Sequence, residues 1–132
     1  MKPLGDRTRL LAAALLLAAA AVHAVAAYEA DHLETQLFYV FWGIVIVQVT
    51  VGLIVLARVP AGAVMALIVN VVVIAAYTVS RLVPLPGEEM AEPVELLGLV
   101  SKAIEIAALP FLVLLTRPAP EASTPTVTPK AT

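Results

Sequence analysis

Four long apolar blocks dominate the sequence, and the short segments between them hold most of the charged residues. The blocks cover residues 10–28, 37–57, 61–80 and 93–115. At about 1.5 Å of rise per residue, each is long enough to cross a hydrocarbon core about 30 Å thick as an α-helix. The pattern predicts an all-α polytopic membrane protein, folded as a bundle of four antiparallel transmembrane helices.

The segments outside the blocks refine this division. Arg58, Val59 and Pro60 alone separate the second block from the third, so these two helices should be antiparallel neighbours joined by a tight turn. Pro93 opens the fourth block, and proline suits the first turn of a helix, where its missing N–H is not needed. Residues 1–9 form a basic N-terminus. Residues 116–132, rich in Pro and Thr, have no apolar face to bury, so we expect a disordered tail.

Composition agrees with a membrane protein and excludes several functions. Hydrophobic residues make up 61% of the chain and charged residues 14%, and the mean hydropathy is +0.99, far from the values of soluble domains. The absence of cysteine from the sequence excludes disulfides, thiolate metal sites and thiol redox chemistry. A net charge of −2 gives no basic surface for nucleic acid. No nucleophile–base pair stands out, so we expect a protein that is not an enzyme and carries no cofactor.

Basic residues predict the orientation of the bundle. One side of the predicted membrane holds Lys2, Arg7, Arg9, Arg58, Arg117 and Lys130, whereas the other holds Arg81 together with seven acidic residues. The positive-inside rule then places both termini in the cytoplasm of a cell with the protein in its inner or plasma membrane. The two acidic loops should face outward.

Residues 1–27 also fit a cleavable signal peptide. They have a basic start, an apolar stretch and a small-residue cleavage site at Ala24-Val25-Ala26 or Val25-Ala26-Ala27. Cleavage would leave three spans with the same orientation. The apolar stretch is longer than most signal-peptide cores and contains His23, which favours retention of the first helix.

Polar residues near the middle of the spans are candidates for contacts between helices. Gln48, Asn70 and Glu105 all fall close to the predicted midplane. Polar groups in hydrocarbon cost free energy, so each needs a partner, a cavity or the interface. Because the second and third helices form a hairpin, we expect Gln48 and Asn70 to hydrogen-bond to each other. Tyr77 and Arg81 continue the stripe of Asn70 along the third helix.

One face of the fourth span carries the most unusual residues. It comprises Gly98, Ser101, Lys102, Glu105, Ala108 and Leu112. Small residues let another backbone approach, so this face should point into the bundle. Side chains lean toward the N-terminus of a helix, so we expect Lys102 to extend outward to the interface and Glu105 to lean toward Lys102. The pair either neutralises itself, or Glu105 is a titratable group that binds a proton or a cation.

Arg81 has two interpretations of its own. It lies at the outer end of the third span, where acidic residues and lipid headgroups are available as partners. Alternatively, it faces inward as a counter-ion for Glu105 or for an anionic ligand.

The two histidines raise the possibility of a metal site on the outer side. His32 is flanked by acidic residues, and its spacing of three from Glu29 lets both ligate one metal from a helix. His23, His32, Glu29, Glu34 and Glu105 are the candidate ligands. Imidazole with carboxylate suits zinc, copper(II) or iron, and two histidines could hold a haem. A solvated acidic loop beside a packed histidine is the commoner arrangement, and the sequence leaves both open.

Short motifs at fixed places carry a family resemblance. They are His23 in the first span, Asp31-His32-Leu33-Glu34 before the second, Ser80-Arg81 after the third, and Glu92-Pro93 leading to Glu105. Over residues 10–115 the chain resembles a group of small four-span membrane proteins of high-GC bacteria. The resemblance implies four spans and draws attention to His23, Arg81 and Glu105, but it implies no substrate. Members often carry an acidic residue at the position of Gly98, and that departure argues against a site of several carboxylates.

Two functions of different classes follow. The first is an accessory subunit of the membrane, whose polar face on the fourth helix meets its own bundle, another membrane protein or a second copy. The second is an outward-facing site for a proton, a metal ion or a small ligand, built on Glu105, Arg81, His23 and His32. In both, the lipid bilayer surrounds the protein.

Overall fold

Four α-helices make up nearly all of the described chain. The computed structural model describes residues 4–30, 35–84, 89–90 and 94–118. The helices are α1 (Leu4–Ala30), α2 (Thr35–Leu56), α3 (Gly62–Leu82) and α4 (Leu96–Thr116), and the described residues contain no strand. All four helices are long and apolar enough to cross a membrane. The prediction of an all-α four-helix fold is confirmed, and the chain has the architecture of a multi-pass membrane protein.

The helix ends differ from the apolar blocks at two places. α1 begins at Leu4 rather than at residue 10, because polar residues extend it and are held by α2. Arg9 donates to the carbonyl of Val55 at 3.1 Å. The fourth helix does not begin at Pro93, because Glu95 is extended and α4 starts at Leu96. Pro93 itself and the tail from residue 119 onward lie outside the described residues.

Each helix contacts two neighbours. α1 packs against α2 and α4, and α3 packs against the same two helices from the opposite side. The two contacts that α1 makes are more extensive than those of α3. As a result, the bundle is tight around α1 and looser along α3.

The apolar core occupies one half of the bundle. It consists of Ala12, Ala13, Leu16, Val51, Val55, Ala66, Ala108 and Leu112. These residues come from the start of α1, the end of α2, the start of α3 and the end of α4. We call this the terminal half and the opposite one the distal half. Alanines on three helices allow close approach of the backbones, which is how membrane helices gain packing energy.

A tight turn joins α2 to α3, as the sequence predicts. The N–H of Gly62 donates to the carbonyl of Val59 at 3.0 Å. Both Arg58 and Ala61 adopt left-handed backbone conformations, with φ of 58° and 60°. Arg58 also pairs with Asp6 at 2.5 Å, which fixes the turn against the start of α1.

The left-handed Ala61 gives a first prediction. A non-glycine residue in this conformation costs roughly 1–2 kcal/mol. We therefore expect Ala61→Gly to raise the free energy of unfolding in detergent by about 1 kcal/mol, since glycine removes that strain. The control Ala63→Gly, inside α3, should lower it by about 1 kcal/mol. Circular dichroism during denaturant titration measures both, and a loss of stability in both variants would contradict the assignment.

Candidate functional site

Glu105, buried at the middle of α4, receives polar contacts from every helix through its carboxylate and its backbone carbonyl. Glu105 is fully buried. His23 of α1 bonds to its Oε1 at 2.9 Å, and Gln48 of α2 donates to the same oxygen at 2.8 Å. Lys102, one turn away on α4, donates to Oε2. Asn70 of α3 donates to the backbone carbonyl of Glu105 at 2.7 Å. We call these five residues the Glu105 cluster.

Small neighbours let the long side chains of the cluster cross between helices. On α1, the buried residues next to His23 in the helical pattern are Ala19, Ala20 and Ala27. On α4, Ser101 and Ala108 flank the buried Lys102 and Glu105. The prediction that this face of α4 points into the bundle is confirmed. Close backbones on both helices bring His23 and Glu105 within hydrogen-bond distance.

The hydrogen bonds define the chemistry of the cluster. A carboxylate only accepts, so the Nε2 of His23 carries a proton, in the neutral ring or in the imidazolium. Lys102 supplies the positive charge that balances Glu105 when His23 is neutral. A buried ion pair needs such additional donors, because Coulomb attraction alone seldom offsets the loss of hydration.

The cluster also has unused acceptors. Within the described part of the chain, Gln48 Oε1 and Asn70 Oδ1 are buried and have no hydrogen-bond partner. A rotation of the Gln48 amide would present its oxygen to a protonated Glu105, which could then donate. The cluster can therefore hold Glu105 in either protonation state.

Two expectations from the sequence prove wrong here. Gln48 and Asn70 lie at the same depth as predicted, but both donate to Glu105 and not to each other. Lys102 does not extend outward to the interface. It is 7% exposed and bonded to Glu105, because a carboxylate one turn away is a closer partner than the membrane surface.

Tyr77 and Arg81 lie on the distal side of the cluster. The guanidinium of Arg81 lies 4.5 Å from the centroid of the Tyr77 ring, and the ammonium of Lys102 lies 5.3 Å from it. Two cations thus share one aromatic ring, an arrangement stabilised by the ring quadrupole. Gly98 leaves the space that the ring fills. Lys102, and not Arg81, is the direct counter-ion of Glu105.

A pocket of about 140 Å³ opens between α2 and α3 in the distal half. It is lined by His23, Val40, Phe41, Ile44, Val73, Ala76, Tyr77, Ser80, Arg81 and Lys102. A smaller cavity of about 30 Å³ also borders Tyr77 and His23 and extends to Glu95 and Gly98. Two members of the Glu105 cluster therefore reach a space that a ligand can enter.

The proposed metal ligands are only partly brought together. His23 and Glu105 are in contact, whereas Glu29 is exposed near the end of α1. His32 and Glu34 lie outside the described residues. Among the residues that the structure describes, no three His, Cys, Asp or Glu side chains form a group that could hold a metal ion.

The chain was compared with protein families, curated proteins and solved structures. No family model matches the chain, and neither a curated protein nor a solved structure does. The resemblance to small four-span proteins of high-GC bacteria stays a prediction. The Glu105 cluster and the pocket beside it are therefore the features of this chain that bear on its function.

Proposed function

We propose that this chain is a non-enzymatic protein of the cell membrane that binds a small ligand beside the Glu105 cluster and exchanges a proton there. One observation carries the proposal: His23 and Lys102 both bond to Glu105 and both line the pocket of about 140 Å³ between α2 and α3. A ligand in the pocket would thus touch the groups that control the charge of Glu105.

The pocket distinguishes this function from simple contact between helices. Polar side chains that only join helices need no space around them, and protein interiors are packed with few voids larger than a water molecule. Here the ionisable groups border a pocket of about 140 Å³. Concave, mostly apolar pockets with a few convergent polar groups are typical of binding sites for small molecules.

The charges support proton exchange as part of this function. A ligand that contacts Lys102 competes with Glu105 for the ammonium. Glu105 would keep the contacts with His23 and Gln48, and its carboxylate could then take up a proton. Binding and proton uptake would therefore be coupled at one carboxylate.

The distribution of basic residues supports an outward orientation of the pocket. Arg9, Arg58 and Arg117 all belong to the terminal half, which the positive-inside rule assigns to the cytoplasm together with both termini. The distal half then faces outward with the pocket. The site needs α1, because His23 lies on it, so this function requires that residues 1–27 be retained.

In the accessory-subunit hypothesis, the polar face of α4 contacts either the chain's own bundle or a partner protein. Ser101, Lys102 and Glu105 are buried inside the chain's own bundle, so that face is not available to a partner. The hypothesis stays a prediction, and co-purification at native expression level would test it.

Labelling of single cysteines tests the proposed site. The chain has no cysteine, so each variant carries one thiol only. Ser80 lines the pocket, and Ser80→Cys should react in intact cells with a small, charged, membrane-impermeant thiol reagent, because only a hydrated thiol ionises. The neighbouring Val79→Cys faces away from the pocket and should react at least tenfold more slowly.

Two further positions control for orientation. Glu89→Cys, exposed in the loop after α3, should react in intact cells, and Ala57→Cys, exposed in the α2–α3 turn, should react only after permeabilisation. An unreactive Ser80→Cys beside a reactive Glu89→Cys would contradict the binding site. Reaction of Ala57→Cys from outside would overturn the orientation.

A further inference from the structure

The geometry points to a hydrophobic monocarboxylic acid as the ligand, held between α2 and α3 with its carboxylate at Lys102. The inference rests on the proposed function and names its substrate class. It is carried by the charges, the apolar wall and the size of the pocket.

The polar end of the pocket favours an anion. Its lining includes His23, Arg81 and Lys102, and none of the described residues that line it is acidic. Charged donors form the strongest hydrogen bonds to carboxylates, so the ammonium of Lys102 in this lining suits one carboxylate group.

The remaining wall of the pocket is apolar. Val40, Ile44, Val73 and Ala76 line it from α2 and α3, and Val40 and Ala76 are also exposed on the outside of the bundle. The pocket therefore opens on the lipid-facing surface between these two helices, and its lining also reaches Ser80 and Arg81 at the distal end of α3, on the side of the water. Its volume of about 140 Å³ is close to that of a cavity of about 150 Å³ known to take benzene. One aromatic ring fits, and a longer chain could extend through the opening.

The Glu105 cluster explains why the ligand should be a weak acid. A carboxylic acid crosses into the lipid-facing opening in its neutral form. At the cluster its O–H bond breaks, an O–H bond forms at Glu105 Oε1 beside Gln48, and the ligand carboxylate takes the place of Glu105 at Lys102. Charge is conserved in this exchange, and the amide of Gln48 can accept from the new hydroxyl. An anion without an exchangeable proton cannot transfer a proton to Glu105, so it would not displace the Glu105 carboxylate from Lys102.

Unfolding of the full-length protein in neutral detergent tests the ligand class. Benzoate should raise the midpoint of thermal unfolding in a saturable way, because a ligand that binds the folded state stabilises it. Benzenesulfonate, which has the same ring but no proton to transfer, and benzyl alcohol, which has no acid, should give no saturable shift. Decanoate separates a lipid-derived acid from a free aromatic one, and a shift with either acid supports the proposal.

A matched pair of variants locates the binding. Ala76→Phe fills the pocket and should abolish the shift, whereas Ala75→Phe, also exposed on α3 but outside the pocket, should keep it. If Ala76→Phe unfolds, Val40→Phe on α2 replaces it. Retention of the full shift in a folded pocket-filling variant would overturn the proposal.

The outcomes separate this inference from the proposed function. If neither benzoate nor decanoate shifts unfolding while Ser80→Cys is labelled, the ligand class is wrong and the site stands. An equal shift with benzenesulfonate likewise overturns the weak-acid exchange. If Ser80→Cys is not labelled, the site itself fails.

Discussion

Replacing Glu105 by leucine should destabilise the folded bundle by about 3–5 kcal/mol, the cost of removing one partner from a buried ion pair. The carboxylate accepts from His23, Gln48 and Lys102, so its loss leaves three donors in a fully buried environment. Among these, the ammonium of Lys102 is the most expensive to leave without a counter-ion. Denaturant unfolding in detergent, followed by circular dichroism, measures the change.

The control for Glu105→Leu is Lys102→Met, which removes the other member of the pair. The carboxylate then keeps its contacts with His23 and Gln48, so the loss should be clearly smaller. The double variant should recover part of the stability lost in Glu105→Leu, because it removes both charges. If Glu105→Leu is as stable as the wild type, the carboxylate is not buried among these donors.

Substituting Gly98 by alanine should lower stability by about 1–3 kcal/mol, the usual cost of overpacking a well-packed site. A Cβ added there would lie 2.6 Å from Cε2 and 2.8 Å from the hydroxyl oxygen of Tyr77. The ring must move, and with it the surface on which Arg81 and Lys102 lie. Because Tyr77 lines both distal cavities, the variant should also lose the benzoate-dependent shift in unfolding.

Gly43 provides the matched control, because a Cβ added there meets nothing within 4 Å. Gly43→Ala, inside α2, should raise stability by about 0.5–1 kcal/mol, since glycine is a poor helix former. A Tyr77→Ala background tests the mechanism: there, Gly98→Ala should cost nothing, so the two effects should be strongly non-additive. Additive losses would show that Tyr77 is not the obstacle.

The fold follows from the sequence because lipid leaves few alternatives. Backbone groups in hydrocarbon must be satisfied within the segment, so an apolar block of sufficient length becomes a helix. The ends of the helices are harder to predict. Asp6 and Arg9 extend α1 beyond its apolar block through contacts with Arg58 and Val55, and such contacts depend on where another helix lies.

The members of the site could be chosen from the sequence, but their pairing could not. Gln48, Asn70 and Glu105 stand out as polar residues at one depth in apolar spans. Depth alone does not say how each helix is rotated, so the expected bond between Gln48 and Asn70 was wrong and both amides meet Glu105. The position of His23 opposite Glu105 depends on α1 and α4 being neighbours, which no local pattern encodes.

The pocket has no signature in the sequence. It exists because Tyr77 turns into the space left by Gly98 and because α2 and α3 are less closely packed than α1 and α2. Both conditions are relations between helices. The one local hint is Gly98 itself, a residue without a side chain on the most polar face of α4.

The apolar core lies in the terminal half of the bundle and the pocket lies in the distal half. This division determines the side from which a ligand can reach Glu105. A ligand that reaches Glu105 from the pocket meets, on the other side, the buried core side chains of Leu16, Val55 and Leu112. For the proposed ligand, this conformation would leave the site open on the distal side of the bundle. Release into the opposite compartment would require those side chains to separate, so any carrier activity must be slower than exchange of bound acid on the side of entry.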